Sequence, residues 1–184
     1  MDKTVNINII PSLLNMDARM TNVVVSANLH CAVNLNYMVN AVNNAVYNPK
    51  KYSGMIWRHR RIKSKCFLFH TGNILCMGND TVRGAKKDLR KYARLLTKKG
   101  YDVCLKNIKV VTKSAVATLS GKLDIKQAVH IIKGIYEPEL FQAFMFRKGK
   151  THFTCFPSGK VVMTGVKAWQ KIFSTLMTLE LFTL

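Results

Sequence analysis

The chain carries an internal duplication, which limits the possible folds more than any other feature of the sequence. Three features occur twice, at residues 47–52 (YNPKKY) and 136–141 (YEPELF), at Arg58 and Arg147, and at residues 71–78 (TGNILCMG) and 158–165 (SGKVVMTG). The offset is 89 residues for the first pair and 87 for the last, so one loop of the second copy is two residues shorter. Solenoid units repeat every ~20–50 residues, so this longer period predicts two half-domains related by pseudo-twofold symmetry. Such a protein suits a ligand of the same symmetry, such as duplex DNA.

The charge balance indicates a polyanionic partner. Lysine and arginine number 29 against nine aspartates and glutamates in 184 residues, which gives a formal net charge of +20. Charge of one sign on this scale repels itself in a folded protein, and a polyanion relieves that repulsion. Double-stranded DNA is the first candidate and an anionic membrane surface the second. No apolar run approaches the roughly 18 residues that span a membrane.

No pattern in the sequence indicates an enzyme, a cofactor or a metal site. The nine acidic residues are scattered, so no carboxylate pair is placed for acid–base chemistry. The five histidines lack a motif that links them to a nucleophile. The five cysteines contain no C-x-x-C pair and are typical of buried, reduced thiols. We therefore predict neither catalysis nor a bound cofactor or metal.

Hydrophobic periodicity predicts the same series of elements in each half. In the first half we expect strands at residues 22–29, 55–59, 66–69 and 74–77 and helices at 35–46 and 81–99. In the second half we expect strands at residues 108–119, 143–147, 153–156 and 161–164 and helices at 123–133 and 167–181. A further strand near residues 103–106 would link the halves. Two such halves give an antiparallel sheet with four helices, an α+β fold.

Three of these helices have a predicted inward face. The helix at 35–46 should bury Leu35, Met38, Val39, Val42 and Val46. The helix at 81–99 should bury Ala85, Leu89, Tyr92, Ala93 and Leu96, expose a basic face and end at Gly100. The last helix should bury Trp169, Ile172, Phe173 and Leu176.

The strand at 66–69 (CFLF) is apolar on both faces, which leaves two interpretations. Helices on both sides of the sheet would cover it, and for an isolated strand this is the better expectation. Four helices for eight or more strands, however, suffice for one face only. The other face would then be apolar and rimmed by lysine and arginine, which fits the minor groove of DNA.

The motifs at residues 47–50, 90–94 (RKYAR), 136–141 and 158–165 occur in the order and near the spacing of the TATA-box-binding protein family. The chain resembles that family over about residues 22–179. The resemblance implies a pseudo-twofold saddle formed by a curved antiparallel sheet, with two β-α-β-β-β-β-α repeats and four helices on the convex face. It also implies an N-terminal extension at 1–20 and repeats at 21–105 and 106–184.

The resemblance implies a DNA-binding role for residues of both repeats. The aromatic side chains that wedge between base steps correspond to Tyr52, Phe69, Phe141 and Phe156. The centre of the interface corresponds to Asn22, Val24, Thr112 and Ser114, and the phosphate contacts to Arg58, Arg147, Lys160 and Lys167. The remaining groove-facing positions correspond to Phe67, Leu75, Met77, Val162 and Thr164.

Two groups of residues resemble the family's protein-binding surfaces. Glu137, Glu139 and Leu140 correspond to the contact with transcription factor IIB. Arg90, Lys91 and Arg94 correspond to the contact with transcription factor IIA or with inhibitors, although a basic helix face is by itself more often a solvated surface. The resemblance thus implies the RNA polymerase machinery as a partner, a nuclear location and no membrane partner.

Two functions are compatible with these residues. The first is a general initiation factor that binds and bends promoter DNA, which the retained aromatic residues and the charge of +20 favour. The second is a paralogue that has lost TATA recognition and acts mainly as a protein-interaction scaffold. Thr112, Ser114, Met77 and Asp80 depart from the family pattern and favour the second.

Overall fold

The computed structural model of the chain describes residues 17–167 and 169–184, without the side chains of Trp169 and Lys171. Most of the predicted N-terminal extension, residues 1–16, lies outside the described residues. The predicted inward position of Trp169 also lies outside them.

The described residues form ten strands and four helices, in the order that the resemblance implied. The first series is β1 (Asp17–Asn28), α1 (Leu35–Ala41), β2 (Ala45–Val46), β3 (Met55–Trp57), β4 (Lys65–Leu68), β5 (Asn73–Asn79) and α2 (Val82–Thr97). The second series is β6 (Lys106–Thr118), α3 (Ile125–Ile131), β7 (Ile135–Glu137), β8 (Phe141–Lys148), β9 (Thr151–Cys155), β10 (Lys160–Thr164) and α4 (Trp169–Glu180).

The chain divides into two compact units, which we call the N-terminal unit and the C-terminal unit. The N-terminal unit is Met20–Lys113, and the C-terminal unit contains Ser114–Leu184 together with described residues 17–19. A compact unit is defined by spatial contacts and a repeat by sequence correspondence. The predicted repeat boundaries therefore remain a prediction.

The N-terminal unit is an antiparallel sheet in the order β2-β3-β4-β5-β1, with α1 and α2 packed on one face. Helix α2 begins after Thr81, whose side chain accepts a hydrogen bond from the Gly84 N–H at 3.0 Å. The chain leaves the helix through Gly100, which has a φ of +90°. The predicted inward stripe of α2 is confirmed, because its five residues are all buried in the core.

The C-terminal unit repeats this arrangement with the strand order β6-β10-β9-β8-β7 and with α3 and α4 on one face. Its core contains alternate residues of β9 and β10, such as Phe153, Cys155 and Met163. From α4, Ile172 and Leu176 are buried as predicted. Phe173 is 41% exposed, so its predicted inward position was wrong. The buried face of α4 follows Ile172, Leu176 and Leu179, and Phe173 lies at its edge.

Several boundaries differ from the sequence prediction. The helix predicted at 35–46 ends at Ala41, because Asn44 takes a φ of +57° and β2 then pairs with β3. Val46, predicted inward, is 67% exposed in β2. No strand forms at residues 103–105, and β6 begins at Lys106. Strands β2 and β7 are two and three residues long, too short for a periodic signal.

The thiols are free, as expected, but only three of them are buried. Cys66, Cys76 and Cys155 lie in strands with their side chains in the cores, whereas Cys31 is half-buried and Cys104 is exposed. The expectation of five buried cysteines was therefore wrong for the two that lie outside regular strands. Within residues 17–167 and 169–184, no helix has both the length and the apolar character needed to cross a membrane.

Strand β6 contributes to both cores, although each of its side chains stays within one unit. Ile108 and Val110 pack against the core of the N-terminal unit. Ala115 and Ala117 are buried in the core of the C-terminal unit. The start of β1 behaves similarly, because Ala18 packs against the C-terminal core and Met20 against the N-terminal one. In β6 the side chains that face the helices are therefore even-numbered at residues 108 and 110 but odd-numbered at residues 115 and 117.

Candidate nucleic-acid interface

In the N-terminal unit the strand face opposite the helices is apolar. Cys66 and Leu68 of β4 are fully buried in the core that contains α1 and α2. Phe67, between them, points to the opposite face and is only half-buried. In β5 the paired residues Leu75 and Met77 share that face and are also half-buried. The strand at 66–69 is thus covered by the helices on one side only, in agreement with the second interpretation of its sequence.

The C-terminal unit presents a corresponding face. Val161 and Met163 of β10 are buried against α3 and α4, whereas Val162 is half-buried and Thr164 exposed on the other side. The register pairs Val162 with Thr154 and Thr164 with Ser114, so these side chains share one face. This face is more polar than its N-terminal counterpart, because Thr154 occupies the position of Phe67.

The four predicted wedge residues form two aromatic pairs, one in each unit. The ring centroids of Tyr52 and Phe69 are 5.9 Å apart and the rings are inclined at 68°. The centroids of Phe141 and Phe156 are also 5.9 Å apart, with an angle of 78°. Both pairs are edge-to-face, an arrangement that aromatic rings favour. Each pair keeps at least one ring exposed, since Tyr52 is 42% and Phe141 44% accessible.

A glycine under the first pair was missed by the sequence analysis. A Cβ atom at Gly54 would lie 2.8 Å from Cε1 of Tyr52 and 2.9 Å from Cε1 of Phe69. In the C-terminal unit the corresponding position is Ala143, which is fully buried. Gly54 therefore leaves the space that the first ring pair occupies, and the C-terminal unit also has a small residue at this position. The shared small side chain at an offset of 89 residues was the available signal.

The predicted central residue Asn22 has a fixed amide orientation. Its Oδ1 accepts a hydrogen bond of 2.7 Å from the backbone N–H of Gly78. Gly78 has a φ of +107° and lies at a bulge where the pairing of β1 and β5 changes register. Because the oxygen is occupied, the Nδ2 group remains as the donor that Asn22 can offer to a ligand. Sequence analysis predicted the residue but not this orientation.

The other predicted central residues differ in exposure. Val24 is only 6% exposed, yet it does not belong to the core cluster of the N-terminal unit. Thr112 and Ser114 of β6 are half-buried. Ser114 shares a sheet face with Thr164, which is its partner in the register of β10.

The predicted phosphate contacts are exposed in both units. Arg58, Arg147, Lys160 and Lys167 all have exposed side chains. Arg147 donates its Nε–H to the carbonyl oxygen of Gly149 at 2.8 Å, which orients the guanidinium group. The remaining N–H groups of Arg147 are the ones suited to a phosphate.

The N-terminal unit carries weaker equivalents of Lys160 and Lys167. Asn73 replaces the first lysine and shares hydrogen bonds with Asn28 and Thr71. Asp80 replaces the second and forms an ion pair of 2.8 Å with Lys63, which lowers the pKa of Asp80. A further cation was missed by the sequence analysis, because Lys65 pairs with Met77 and therefore lies on the same sheet face. Its exposed ammonium group adds positive charge to that face.

The residues predicted to bind proteins are also accessible. Glu137, Glu139 and Leu140 lie at the turn between β7 and β8, and Leu140 is 82% exposed. On α2, Arg90 and Arg94 are exposed, whereas Lys91 is half-buried and donates a hydrogen bond of 3.4 Å to Asp88. Two of the three predicted basic residues are therefore fully available to a partner.

Comparison with known proteins gives the same relationship over most of the chain. The sequence matches the family model described as "Transcription factor TFIID (or TATA-binding protein, TBP)" over residues 17–99 and 107–178. It is 34% identical over 155 residues to TATA-box-binding protein-like 1 of Entamoeba histolytica, covering 82% of this chain and 72% of that protein. It is 32% identical over 161 residues to TATA-box-binding protein 1 of Triticum aestivum, covering 84% of this chain and 68% of the relative.

The fold is similar to that of a solved member. Methanococcus jannaschii TBP superposes with a TM-score of 0.77 at 27% sequence identity, over 89% of this chain and 96% of that one. This likeness confirms the expected fold, an antiparallel sheet with four helices built from two repeats. Proteins of the matched family are transcription factors that bind DNA, not enzymes. With two matched segments and relatives above 30% identity, the chain belongs to the TATA-box-binding protein family.

Proposed function

We propose that this protein is a transcription initiation factor that binds promoter DNA through the minor groove, bends it and recruits further initiation factors in the nucleus. The observation that carries the proposal is the pair of edge-to-face aromatic contacts, each 5.9 Å between centroids, on the helix-free sheet faces. Exposed aromatic pairs on an apolar strand face have no packing role in the cores. They are suited to wedge between base steps, an action for which this family is itself the standard example.

The chemistry of the face fits the floor of the minor groove. A·T pairs present only acceptors there, the N3 atom of adenine and the O2 atom of thymine. The free Nδ2 group of Asn22 is a donor and therefore complements those acceptors. Apolar contacts from Leu75 and Val162 would exclude water from the groove. Arg58, Arg147 and Lys160 would hold the phosphates on either side.

The same proposal includes two protein partners. Glu137, Glu139 and Leu140 form an acidic and apolar turn suited to a transcription factor IIB-like protein. The exposed cations of α2 are suited to an acidic surface on a transcription factor IIA-like protein. Through such partners the protein would bring the RNA polymerase machinery to a promoter.

A second candidate function is supported by the asymmetry of the basic residues. In the N-terminal unit Asp80, paired with Lys63, stands at the position that Lys167 has in the second repeat, and Thr112 and Ser114 depart from the family pattern. The first difference weakens a phosphate contact and the others weaken base reading, whereas the predicted protein-binding residues are retained. A paralogue that acts mainly as an interaction scaffold would carry such changes.

One experiment separates the two functions. Duplexes bound by the protein are selected from a random pool, and the bend of the enriched sequences is then measured by fluorescence transfer between their ends. An initiation factor of the proposed kind enriches a defined A·T-rich site and brings the duplex ends closer together. Enrichment of no sequence, with no change in transfer, would leave the scaffold function as the better account.

DNA binding should depend strongly on salt, because each phosphate contact displaces condensed counterions. If roughly six phosphates are neutralised, the slope of log affinity against log salt should be near −5. Arg58→Ala and Arg147→Ala should each reduce the magnitude of the slope by about one and affect all sequences equally. Arg94→Ala, which changes an exposed cation of α2, is the matched control and should leave the slope unaltered. A slope close to zero for the natural protein would contradict the predicted phosphate contacts.

Sequence preference should improve when the centre of the second repeat is made like that of the first. Thr112 offers a hydroxyl and a methyl group where Asn22 offers an amide, and Ser114 replaces an apolar side chain. The double variant Thr112→Asn with Ser114→Val should therefore discriminate a TATA element more sharply, by about tenfold for one added discriminating contact. Competition binding between TATA and G·C-substituted duplexes measures this ratio. Equal discrimination by the natural protein and the double variant would show that these positions do not determine the preference.

A further inference from the structure

A cavity of about 480 Å³ lies in the N-terminal unit on the helix-bearing side of its sheet. The chain after α1, the loop between β3 and β4, and the last turn of α2 form its walls. The lining includes five basic residues, His59, Arg60, Arg61, Lys98 and Lys99. Because Trp57 lines it while Ile56 points to the opposite sheet face, the cavity is separate from the face proposed to bind DNA.

The charges around this cavity are not balanced by the protein. Of the described residues that line it, none is acidic. The ion pairs of Lys63 with Asp80 and of Lys91 with Asp88 include none of the cations of the cavity. A concave site surrounded by one sign of charge concentrates the field of its cations on a bound anion.

Trp57 is the aromatic residue in the wall of this cavity, and its indole is buried. Trp57 is 2% exposed, and its Nε1–H has no hydrogen-bond acceptor among the described residues. A buried N–H without a partner is costly, and most such groups in proteins have one. In the C-terminal unit the corresponding residue is Phe146, whose ring stacks on Phe153 with centroids 4.8 Å apart. Packing at this position therefore does not need an N–H group.

The histidine of the cavity is also oriented as a donor. Nδ1 of His59 accepts a hydrogen bond of 3.2 Å from the backbone N–H of Arg61. In the neutral ring the proton then lies on Nε2, which becomes a donor. The His59 ring and four charged side chains thus line one cavity, where the side-chain amides of Asn43 and Asn44 can also donate.

From these groups we infer that the cavity binds a phosphate dianion, either free in solution or as the phosphoryl group of a modified side chain on a partner protein. A dianion with several acceptor oxygens matches the excess of donors and cations. A phosphodiester of DNA is a poorer fit, because its two ester links keep it in a continuous backbone and it carries one negative charge rather than two. A terminal phosphate can enter a recess.

The test uses the full chain labelled with ¹⁵N and follows its two indole N–H signals, from Trp57 and Trp169. Trp169→Phe assigns them. On addition of inorganic phosphate, the Trp57 signal should shift and saturate with a Kd on the order of 1 mM. Chloride at the same ionic strength should cause no saturable shift. Arg61→Gln and Lys98→Gln should each weaken phosphate binding about tenfold, because each removes a charge-assisted contact.

Lys87→Gln is the control, because Lys87 is an exposed cation of α2 that does not line the cavity. It should leave phosphate binding unchanged. A phosphoserine peptide that saturates at lower concentration than phosphate identifies a modified partner as the source, whereas equal or weaker binding identifies the free ion. A Trp57 signal that responds linearly, or equally to chloride, overturns the inference. The inference is also overturned if duplex DNA shifts the Trp57 signal and Lys87→Gln weakens that effect as much as Arg61→Gln does.

Discussion

A protein with both Phe69→Ala and Phe156→Ala should still bind DNA weakly but should no longer bend it. Each substitution removes one ring of an edge-to-face pair and leaves Tyr52 or Phe141 without its neighbour. Stacking of an aromatic side chain on a base contributes about 1–3 kcal/mol, so affinity should fall by about tenfold or more for each ring. The association rate should change less, because it depends on the charges that contact the phosphates. Fluorescence transfer between the ends of a bound duplex, combined with association rates, measures both effects.

The fold should survive this double substitution. Neither Phe69 nor Phe156 belongs to the buried core of its unit. Phe173→Ala is the matched control, because it removes a phenylalanine that is 41% exposed on the helix side of the C-terminal unit. It should leave bending unaltered. If the double variant bends DNA as the natural protein does, the aromatic pairs are packing features only and the proposed mechanism is wrong.

The largest loss of stability from a polar substitution should come from Asp88→Ala. Asp88 of α2 is 4% exposed, and its Oδ2 accepts hydrogen bonds from the Ser64 N–H at 3.1 Å, the Ser64 hydroxyl at 2.9 Å and Asn79 Nδ2 at 3.0 Å. Removing the acceptor leaves buried donors of Ser64 and Asn79 unpaired. Each costs about 1–3 kcal/mol, so the free energy of unfolding should fall by about 3 kcal/mol. Urea unfolding measures it directly.

The same carboxylate should make stability depend on pH. Burial alone would raise the pKa of Asp88, but hydrogen bonds from Asn79, Ser64 and Lys91 outweigh it and hold the pKa below its ordinary value of 3.8. The contribution is therefore complete above that value and is lost as the pH falls through the lower, folded pKa. Asp88→Asn should abolish this part of the acid destabilisation. Asp80→Ala is the control, because Asp80 is exposed and its ion pair with Lys63 should not contribute measurably. Equal losses of unfolding free energy in Asp88→Asn and Asp80→Ala would contradict the role assigned to the buried hydrogen bonds of Asp88.

The sequence predicted helix α2 almost completely, because several local signals agreed there. Apolar residues recur there at helical spacing, and Gly100 follows the end of the helix; Thr81, predicted as the first helical residue, is its N-cap. Strands β2 and β7 could not be predicted from local pattern, since two or three residues carry no periodicity. Their pairing with β3 and β8 defines them, and pairing is a tertiary property.

The sequence predicted which residues form the candidate site but not how their side chains contact one another. The resemblance supplied Tyr52, Phe69 and Asn22, but the sequence could not show that the two rings contact each other. Nor could it show that Asn22 is held by Gly78, because that hydrogen bond joins residues 56 positions apart. Gly54 was overlooked because a glycine after Ser53 resembles an ordinary turn residue, and only the approach of the two rings gives it a role.

The distribution of β6 between the two cores has a consequence for how such a chain can be divided. A fragment ending at residue 105 would lack Ile108 and Val110, which pack against the N-terminal core, and would expose an apolar patch in their place. The other fragment would lack Ala18, which packs against the C-terminal core. A cut at residue 105 therefore removes apolar contacts from both cores. A division between Lys113 and Ser114 would instead keep Ile108 and Val110 in the same fragment as the core against which they pack.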